Sequence, residues 1–251
     1  MAQPSSREGQ PVPQVKFRYR DNGEWQETDT DRLFKGRTVA VFSLPGAFTP
    51  TCSSTHLPRF NELAPAFREN GVDQVICIAV NDPFVMEEWA KTQECHNVFV
   101  LPDGNGAFTE QMGMLVDKSD LNFGKRSWRY SMLVRDGVVE KMFIEPDEPN
   151  DPFKVSDADT LLHYVNRDAR QPDQVALLTR EGCQFCTKAK EQLRQAGVEF
   201  AEVPLPHTVR TRALGAIAKA RTVPQLFVNG ELIGGSDAVD QWVRERKGAE
   251  R

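Results

Sequence analysis

Residues 45–52 read Pro-Gly-Ala-Phe-Thr-Pro-Thr-Cys and lie between a short apolar run at 39–44 and a segment whose apolar residues recur at helical spacing. The apolar run predicts a buried strand, and the segment 53–70 predicts a helix. Cys52 is therefore expected in or near the first turn of that helix, where free backbone N–H groups and the helix dipole favour a thiolate over a thiol. This strand, turn and helix begin an α/β pattern with a cysteine placed for nucleophilic chemistry.

The alternation of strands and helices continues to about residue 166. Further strands are predicted at 74–80, 98–101 and 131–144, the last forming a hairpin at Asp136-Gly137, and further helices at 84–91 and 156–166. Ser156, with Asp159 three residues later, resembles a capping box and predicts the helix start at 156. Pro65 is expected to kink the helix over 53–70, because proline removes a backbone donor and crowds the preceding turn.

A polar stretch at 167–173, Arg-Asp-Ala-Arg-Gln-Pro-Asp, ends the first pattern and is the predicted linker. The predicted domains are therefore 1–166 and 174–251. In the second domain, strands are predicted at 175–178, 198–203, 225–228 and 231–233, and helices at 185–195, 208–220 and from 236. This order suits a compact thioredoxin-like domain. The acidic, proline-rich stretch at 145–152 is a second possible boundary, but it would leave the helix at 156–166 without a core.

The composition is that of an ordinary soluble globular protein. Of 251 residues, 39% are apolar, 9% aromatic and 27% charged, so the chain can bury a core that a disordered chain cannot. The formal net charge of -5 gives no electrostatic footprint for a nucleic acid or an anionic membrane. No stretch approaches the ~20 apolar residues that span a bilayer. We therefore expect neither nucleic acid nor membrane as a partner.

The cysteines and the amino-terminal sequence indicate a reducing compartment. Five cysteines are too few for a disulfide framework, and an odd number cannot all pair within one chain. Residues 1–10 are polar and lack the apolar core of a secretory signal. We therefore expect a cytoplasmic protein whose thiols are catalytic, metal-binding or merely buried.

Two residues near Cys52 suit thiol chemistry. Thr49 lies three residues earlier, where its hydroxyl can face the sulfur and hold an oxygen of a bound substrate. Pro45 cannot donate a backbone hydrogen bond and can shield a thiolate from water. The alternative is a buried cysteine that only begins a helix, and the flanking Pro, Thr and helix start favour the reactive one.

The octapeptide at 45–52 resembles the active-site signature of the peroxiredoxins, and its continuation, Ser53-Ser-Thr-His-Leu-Pro58, resembles the peroxiredoxin five-like group. The resemblance covers about residues 10–165 and includes Val80-Asn-Asp82, Glu88-Trp89 and Asp136-Gly137. It implies a thioredoxin-like fold for the first domain. It also implies a thiol peroxidase that reduces hydrogen peroxide and organic hydroperoxides.

The arginine of that family corresponds to Arg129, before Tyr130-Ser131-Met132, rather than to Arg126. A permanently charged planar guanidinium suits the stabilisation of a thiolate and the orientation of a peroxide. Without the resemblance, Arg129 would be interpreted as a solvated surface charge. The family's chemistry implies that the Cys52 thiolate attacks a peroxide oxygen and becomes a sulfenic acid. Donors from Thr49, Arg129 and the Cys52 N–H are expected to stabilise the charge that develops.

The first domain offers no evident partner thiol for that sulfenic acid. Some relatives carry a resolving cysteine after the Asp-Gly hairpin, but 145–152 contains none. Cys77 lies in the apolar strand at 74–80 and is expected to be a core residue. Cys95 adjoins His96 in a predicted loop, where a regulatory or resolving role stays open. Another group is therefore expected to resolve the oxidised Cys52.

Cys183-Gln-Phe-Cys186 follows a predicted strand and opens a predicted helix. In a chain expected to be cytoplasmic, this context indicates a thioredoxin-fold redox motif. Cys183 takes the helix N-terminus, which lowers its pKa, while Cys186, one turn inside, is shielded. A zinc site would need two further ligands at suitable spacing, and none is clustered nearby, so no metal is expected.

Three segments of the second domain resemble the glutaredoxins. They are Thr179-Arg-Glu-Gly-Cys183, Thr222-Val-Pro224 and Gly234-Gly-Ser-Asp237, and the resemblance covers about residues 173–248. It implies that Pro224 is cis and that Val223 offers its backbone to the peptide of glutathione. Gln184 stands where proline is common, which does not alter the expected fold and leaves the redox potential open.

The same resemblance assigns further glutathione-binding residues. Ser236 and Asp237, at a helix N-terminus, would receive the γ-glutamyl end, with backbone N–H groups on its carboxylate and Asp237 on its ammonium. Arg180 would hold the other carboxylate. Phe185, inside the CxxC motif, completes the predicted glutathione site.

The two resemblances together imply a fused peroxiredoxin and glutaredoxin, two thioredoxin-like domains in tandem, acting as a glutathione-dependent peroxidase in redox homeostasis and oxidative-stress defence. Glutathione, or Cys183 directly, attacks the Cys52 sulfenic acid, and a further glutathione releases the oxidised form. No cofactor is expected beyond glutathione as reducing co-substrate, and a homo-oligomer is implied because peroxiredoxins tend to assemble. Two alternatives stay open: a redox-switched chaperone or peroxide-sensing adaptor using Cys52 as a sensor, and a glutathione-ligated iron–sulfur carrier using Cys183.

Overall fold

The chain divides into two compact units, residues 1–172 and 173–251. The structure, a computed structural model, describes residues 4–148 and 152–249. The division between the units falls at the carboxyl-terminal end of the stretch predicted as a linker, 167–173. The other possible boundary, at 145–152, lies partly outside the described residues. Among those residues, no helix combines the length and apolar composition needed to cross a bilayer.

The first unit is built on a five-stranded mixed sheet with two smaller strand pairs. Its strands are β1 (Lys16–Asp21), β2 (Glu24–Asp29), β3 (Thr38–Ser43), β4 (Gln74–Ala79), β5 (Phe99–Pro102), β6 (Leu115–Asp117), β7 (Lys125–Ser127), β8 (Tyr130–Arg135) and β9 (Val138–Ile144). The main sheet has the order β5-β4-β3-β8-β9, with β1 paired to β2 and β6 to β7. In the main sheet, β3, β4 and β5 run parallel to one another, whereas β8 pairs antiparallel with both β3 and β9.

Helices cover the main sheet of this unit. They are α1 (Thr30–Phe34), α2 (Leu57–Glu69), α3 (Pro83–Thr92), α4 (Ala107–Gln111) and α5 (Ala158–Val165), with a one-turn π-helix at Cys52–His56 and a 3-10 turn at Ser119–Leu121. The α2 helix continues through Pro65. Proline leaves the carbonyl four residues earlier, that of Asn61, without its helical donor, and the side chain of Asn97 donates to that carbonyl at 3.4 Å.

Alternate residues of β3 face two different apolar layers. Ala40 and Phe42 point to the layer that holds α2 and α5, and Val39 and Val41 point to the other face. The Phe42 ring stacks on Phe60 of α2 with centroids 4.0 Å apart. Because full burial of each such ring contributes about 1.5–3 kcal/mol, β3 is held rigidly at the centre of the sheet. The loop that follows it carries residues 45–52.

The parallel pairing of β3 with β4 determines where the loops after these strands meet. The carboxyl ends of parallel neighbours lie at one edge of the sheet, so the loop after β3 lies beside the loop after β4. A hydrogen bond of 3.0 Å from Ala47 N to Asn81 Oδ1 joins them. The hairpin between β8 and β9 turns at Asp136 and Gly137, whose φ values of 47° and 75° are those of the predicted tight turn.

The second unit is a smaller α/β layer structure. Its elements are β10 (Val175–Thr179), β11 (Ala201–Pro204), β12 (Gln225–Val228), β13 (Glu231–Gly234), α6 (Gln184–Gln195), α7 (Arg210–Ile217) and α8 (Ser236–Ala249). The sheet order is β11-β10-β12-β13, with β10 parallel to β11 and the other pairs antiparallel. Leu193 of α6, Val239 of α8 and Leu226 of β12 meet in its core. The predicted α/β class with two thioredoxin-like domains is confirmed.

Some predicted boundaries differ from the structure. The N-cap of α5 lies one residue later than predicted, because Asp157, not Ser156, caps the helix and accepts from Thr160 N at 2.9 Å. The Ser156 hydroxyl donates instead to Glu145 at 2.8 Å. The predicted strand at 198–203 is confined to β11, and the predicted helix at 208–220 is confined to α7.

Candidate active site

Cys52 is fully buried and begins the π-helix that joins the loop after β3 to α2. The turn is closed by a hydrogen bond from Leu57 N to the Cys52 carbonyl, five residues apart. Single π-turns of this kind are frequent at functional sites. The buried indole of Trp89 on α3 donates to the Ser53 hydroxyl at 2.9 Å and so fixes the start of the turn.

Arg129 lies just before β8, whose first residue, Tyr130, pairs with Ser43 at the end of β3, and its side chain reaches the sulfur. Its Nη1 donates to Cys52 Sγ at 3.5 Å, and the whole residue is only 2% exposed. The guanidinium supplies that sulfur with both a positive charge and a directed N–H. Arg126 instead donates to the Val80 carbonyl at 2.6 Å. The structure therefore brings Arg129, and not Arg126, to Cys52.

The two other predicted residues of this site lie in the loop before Cys52. Pro45 is buried. The Thr49 hydroxyl donates to the Gly46 carbonyl at 2.8 Å, and the Thr49 carbonyl accepts from Ser53 N at 3.0 Å. Because the hydroxyl hydrogen is used within the loop, Thr49 is not the predicted donor, but the lone pairs of its Oγ1 can accept a hydrogen bond from a peroxide O–H.

Sequence reasoning missed His56, which completes the surroundings of Arg129. Its Nδ1 lies 3.2 Å from Arg129 Nη1, and its Nε2 lies 3.1 Å from the Ser156 carbonyl oxygen. Burial and the nearby charge of Arg129 lower the pKa of His56 to about 3. The hydrogen bond to Ser156 acts in the opposite direction and raises the pKa, but it is the smaller effect. His56 is four residues after Cys52, a spacing that places two side chains on one side of a helix, and this signal was available in the sequence.

Glu145 was also missed, although it begins the stretch that lacks a resolving cysteine. The carboxylate is buried and accepts four hydrogen bonds of 2.8–2.9 Å, from the backbone N–H groups of Lys154, Val155 and Ser156 and from the Ser156 hydroxyl. These four residues are termed the Glu145 clamp below. Phe153, next to the clamped segment, packs over the Arg129 guanidinium at 5.5 Å and the His56 ring at 4.9 Å.

The two remaining cysteines of the first unit are poor nucleophiles. Cys77 is fully buried in β4, as predicted for a core residue, and burial raises its pKa well above the usual range. Cys95 is half-buried, and its thiol points to the Val98 carbonyl at 3.7 Å. Burial raises the pKa of Cys95 to about 11, so its thiolate is scarce at neutral pH.

Cys183 is the N-cap of α6, as the CxxC spacing predicts for a redox motif. Its sulfur accepts from Cys186 N at 3.2 Å. Burial raises the pKa of Cys183, but hydrogen bonds from the Cys186 thiol and backbone, together with the Arg180 charge, outweigh burial and bring the pKa below its ordinary value. Burial and the bond to Cys183 raise the pKa of Cys186 to about 11. These opposite shifts favour Cys183 over Cys186 as the nucleophile of the pair.

A groove of about 490 Å³ opens beside Cys183. Five of the predicted glutathione-binding residues line it: Arg180, Phe185, Val223, Pro224 and Ser236. The Val223–Pro224 peptide bond is cis. Asp237 does not line the groove and is exposed in the first turn of α8. Gly234 precedes that turn with φ of 130°, and a Cβ there would come within 3.0 Å of Ala238 Cβ.

Two further arginines, Arg210 and Arg221, line the same groove and were not predicted. The Nε of Arg210 is buried without a hydrogen-bond partner among the described residues. With Arg180 they give three guanidinium groups around one cleft, which suits a ligand that carries carboxylates. The position of Arg221 just before Thr222-Val-Pro224 was a usable signal, whereas Arg210 reaches the groove only through the tertiary fold.

Within the described part of the chain, no group of three or more His, Cys, Asp or Glu side chains is arranged to hold a metal ion.

Comparison with known proteins identifies relatives of each unit and of the whole chain. The Redoxin family matches residues 7–162, and the Glutaredoxin family matches residues 175–233. The hybrid peroxiredoxin hyPrx5 of Haemophilus influenzae is 55% identical over 238 residues, which cover 95% of this chain and 99% of that protein.

Solved structures resemble the first unit. Reduced Prx3 of Vibrio vulnificus in complex with hydrogen peroxide matches with a TM-score of 0.60 and 35% identity, covering 63% of this chain and 98% of that one. The Plasmodium falciparum antioxidant protein, a 1-Cys peroxiredoxin, matches with a TM-score of 0.62 and 34% identity, covering 65% of this chain and all of that one (100%).

Proposed function

The chain belongs to the redoxin family as a peroxiredoxin that carries a glutaredoxin domain, a peroxidase of redox defence, and from that premise we propose that glutathione supplies its electrons. The observation that carries the proposal is the groove beside Cys183, which three arginines line. The buried guanidinium of Arg129 at 3.5 Å from Cys52 Sγ supports Cys52 as the thiol that meets the peroxide, and Cys183 at the start of α6 is the thiol that recycles it.

Cys52 performs the first step. The thiolate attacks one peroxide oxygen, the O–O bond breaks, and water or an alcohol leaves after protonation, so that Cys52 becomes a sulfenic acid. Arg129 and the backbone N–H of Cys52 donate to the oxygens as charge moves across the O–O bond, and Thr49 Oγ1 accepts a hydrogen bond from the peroxide O–H. Each such donor contributes about 2–4 kcal/mol when it is placed as in an oxyanion hole.

Glutathione and Cys183 then return Cys52 to the thiolate. Glutathione attacks the sulfenic acid, water leaves, and a Cys52–glutathione disulfide forms. The Cys183 thiolate attacks the glutathione sulfur, which frees Cys52 and leaves glutathione on Cys183. A second glutathione attacks the Cys183–glutathione disulfide and releases glutathione disulfide. One peroxide therefore consumes two molecules of glutathione. Direct attack of Cys183 on the sulfenic acid is the other route to the same end.

The arginine-lined groove beside Cys183 supports glutathione as the ligand. Glutathione has two carboxylates and one ammonium, and Arg180, Arg210 and Arg221 offer guanidinium groups for the carboxylates. The Val223 backbone binds the peptide of glutathione beside Cys183. The N-terminus of α8 at Ser236 receives the γ-glutamyl carboxylate. Asp237 lies in the same turn, outside the lining of the groove, and remains the proposed partner of the ammonium group.

The remaining features of the proposal concern substrates and setting. We propose hydrogen peroxide and alkyl hydroperoxides as substrates, glutathione as the reducing co-substrate with no other cofactor, a cytoplasmic location and a homo-oligomer. The related Vibrio structure is a complex with hydrogen peroxide, which supports that substrate. The Plasmodium relative is a 1-Cys peroxiredoxin, which agrees with the lack of a cysteine at 145–152.

Trapping the intermediate tests the proposed order of steps. A Cys183→Ser chain is oxidised with one equivalent of hydrogen peroxide and then mixed with glutathione, and the peptide containing Cys52 is examined by mass spectrometry. The expected result is a glutathione adduct on Cys52 that disappears slowly. In the wild-type chain and in Cys186→Ser the adduct is expected to turn over rapidly. A Cys52 sulfenic acid that stays unmodified in glutathione would contradict the proposal.

A further inference from the structure

Asn81 is a half-buried polar residue in the loop after β4, and its side chain meets the loop that leads to Cys52. Its Oδ1 accepts from the backbone N–H of Ala47 at 3.0 Å, and it is the sole acceptor of that N–H among the described residues. A Cβ added to Gly46 would stand 3.4 Å from the same oxygen. The two loops are therefore in direct contact at Asn81, to which the proposed reaction assigns no role.

The backbone of Asn81 is held from two sides, so its side chain stands on a fixed base. The carbonyl oxygen of Ala79, the last residue of β4, accepts from Asn81 N and from Asp103 N, both at 2.8 Å. The next residue, Asp82, is the N-cap of α3. A Cβ added to Gly104 would stand 3.4 Å from the Asn81 carbonyl oxygen, so the loop after β5 packs directly on Asn81. Asn81 thus joins the loops that follow three parallel strands.

A single peptide unit connects Asn81 to Thr49. The Ala47 N–H and the Gly46 carbonyl belong to the same planar trans unit, in which they point in opposite directions. Asn81 accepts from the N–H, and the carbonyl accepts from the Thr49 hydroxyl at 2.8 Å. Because a held N–H prevents the plane from rotating, it also fixes the direction in which the carbonyl meets the hydroxyl. The direction of the Thr49 Oγ1 lone pairs therefore depends on Asn81.

We propose that Asn81 is a positioning residue that fixes the Gly46–Ala47 peptide unit and thereby orients Thr49 Oγ1 toward the peroxide O–H. The inference rests on the proposed function, in which Cys52 meets the peroxide and Thr49 accepts from it. Asn81 does not touch the substrate and acts only through this peptide unit. Without its oxygen, the Ala47 N–H would exchange a fixed partner for water, and the plane would be free to turn.

Hydrogen exchange tests the contact without an activity measurement. Exchange of the Ala47 amide is followed by NMR on the full-length reduced protein and three variants. Asn81→Asp keeps an oxygen in place and is expected to keep the wild-type exchange rate. Asn81→Ala is expected to raise that rate by about 3- to 10-fold, the range for losing one neutral hydrogen bond. Asn105→Ala, at an exposed asparagine in the loop after β5, is the matched control and is expected to change nothing. Equal exchange in the wild type and Asn81→Ala would overturn the proposal.

Kinetics of the same full-length variants test the consequence. The rate constant for oxidation of Cys52 by hydrogen peroxide, measured by stopped flow without any reductant, is divided by the rate constant for its alkylation by iodoacetamide. The ratio removes any change in the thiolate fraction, since both reactions need the thiolate. Asn81→Ala is expected to lower this ratio by about 3- to 10-fold, whereas Asn81→Asp and Asn105→Ala are expected to keep it. A wild-type ratio in Asn81→Ala, or an equal loss in Asn81→Asp, would show the proposal to be wrong.

A double-mutant cycle separates positioning of Thr49 from a general effect on the fold. Thr49→Val removes the hydroxyl and keeps a side chain of similar shape. In that chain, adding Asn81→Ala is expected to change the ratio by less than about 2-fold, because the group that Asn81 orients is gone. A further loss as large as in the wild type would overturn the proposal. Peroxide oxidation that persists in Cys52→Ser would instead remove the proposed function, and the exchange result would still decide the Ala47 contact.

Discussion

Among single side chains, Arg129 and Arg126 differ in the atoms that their guanidinium groups contact. Arg129 meets Cys52 Sγ and His56 Nδ1 with one nitrogen of a rigid planar guanidinium, whereas a lysine ammonium lies at the end of a flexible stem. Arg126, three residues away, donates instead to the Val80 carbonyl. The two arginines are therefore separable by experiment.

Arg129→Lys is expected to lower the second-order rate constant for oxidation of Cys52 by about 10²- to 10³-fold, because it removes a donor aimed at the developing charge. The rate is measured by stopped-flow fluorescence with hydrogen peroxide in excess. Arg126→Lys is the control and is expected to change the rate only slightly. An equal loss in both variants would contradict the assignment of Arg129, rather than Arg126, as the donor to Cys52.

Cys183 and Cys186 are expected to react with iodoacetamide in different pH ranges. The pKa of Cys183 lies below its ordinary value and that of Cys186 is raised to about 11, so Cys183 is alkylated near neutral pH while Cys186 remains protected. Arg180→Gln removes a positive charge that lowers the pKa of Cys183, so its alkylation curve is expected to move to higher pH.

Peptide mass spectrometry of the reduced chain after timed labelling gives both curves. Arg212→Gln, an exposed arginine that does not line the groove, is the matched control and is expected to leave the curve of Cys183 in place. Faster labelling of Cys186 than of Cys183 at neutral pH would contradict the assignment of the nucleophile.

Among the secondary-structure elements, the α5 helix is capped by Asp157, the residue next to the predicted N-cap Ser156. Asp157 accepts from Thr160 N at 2.9 Å and from the Thr160 hydroxyl at 2.7 Å, and Ser156 is left to bind Glu145. The α5 helix packs its Leu161 and Leu162 into the layer that holds Cys52. The start of this helix therefore helps to keep the Glu145 clamp in register.

Asp157→Ala is expected to destabilise the first unit by about 1 kcal/mol, the usual effect of removing an N-cap side chain. Urea unfolding followed by tryptophan fluorescence reports it, because Trp25, Trp89 and Trp128 all lie in the first unit. Asp168→Ala, an exposed aspartate after α5, is the control and is expected to change stability by less than about 0.5 kcal/mol. No difference between the two variants would contradict the assigned cap.

The elements that the sequence predicted well are those with an apolar pattern or a tight-turn dipeptide. The runs at β3 and β4 and the Asp136-Gly137 turn belong to this class. The β1–β2 hairpin was missed although Asn22-Gly23 lies at its turn, because most of its strand residues are exposed. The three-residue strands β6 and β7 owe their pairing to tertiary context and carry no local signal of their own.

The site divides in the same way. Cys52 and Cys183 could be predicted because their chemistry depends on a local position at a helix start. The contact of Arg129 with Cys52 spans 77 residues of sequence, and only a family resemblance placed it. The Glu145 clamp could not be predicted, since it forms where a carboxylate meets three consecutive backbone N–H groups nine to eleven residues away.

For the whole molecule, His56 links stability to pH. Burial and the Arg129 charge lower its pKa from 6.5 to about 3 in the folded chain. The unfolded chain therefore binds a proton that the folded chain does not between these values. The stability gained from the neutral ring is complete above about pH 6.5 and is lost as the pH falls toward 3. Arg129, Cys52 and, through Ser156, Glu145 are the ionisable groups on its sides.

His56→Gln is expected to flatten the dependence of unfolding free energy on pH between about 6.5 and 3, because glutamine does not titrate there. Urea unfolding at several pH values measures it. His163→Gln, an exposed histidine on α5, is the control and is expected to keep the wild-type slope. A wild-type slope in His56→Gln would mean that other groups determine the acid sensitivity.

Joining two redox units in one chain matters for rate. A tether raises the effective concentration of one unit for the other to the millimolar range when the linker is short and flexible and the geometry permits. Separate chains 1–172 and 173–251, mixed at micromolar concentration, are expected to reduce peroxide more slowly with limiting glutathione than the intact chain. Their rate is expected to rise with the concentration of the second piece. Equal rates for mixed and intact chains would contradict a role for the tether.

The most direct test of the central claim is peroxide consumption with glutathione as the sole reductant, measured on the wild type, Cys52→Ser, Cys183→Ser and Cys186→Ser. The wild type is expected to consume hydrogen peroxide with two glutathione molecules per turnover. The first two variants are expected to lose nearly all activity, and Cys186→Ser is expected to retain much of it. Peroxide loss no faster with the protein than with glutathione alone, or full activity in Cys52→Ser, would contradict the account.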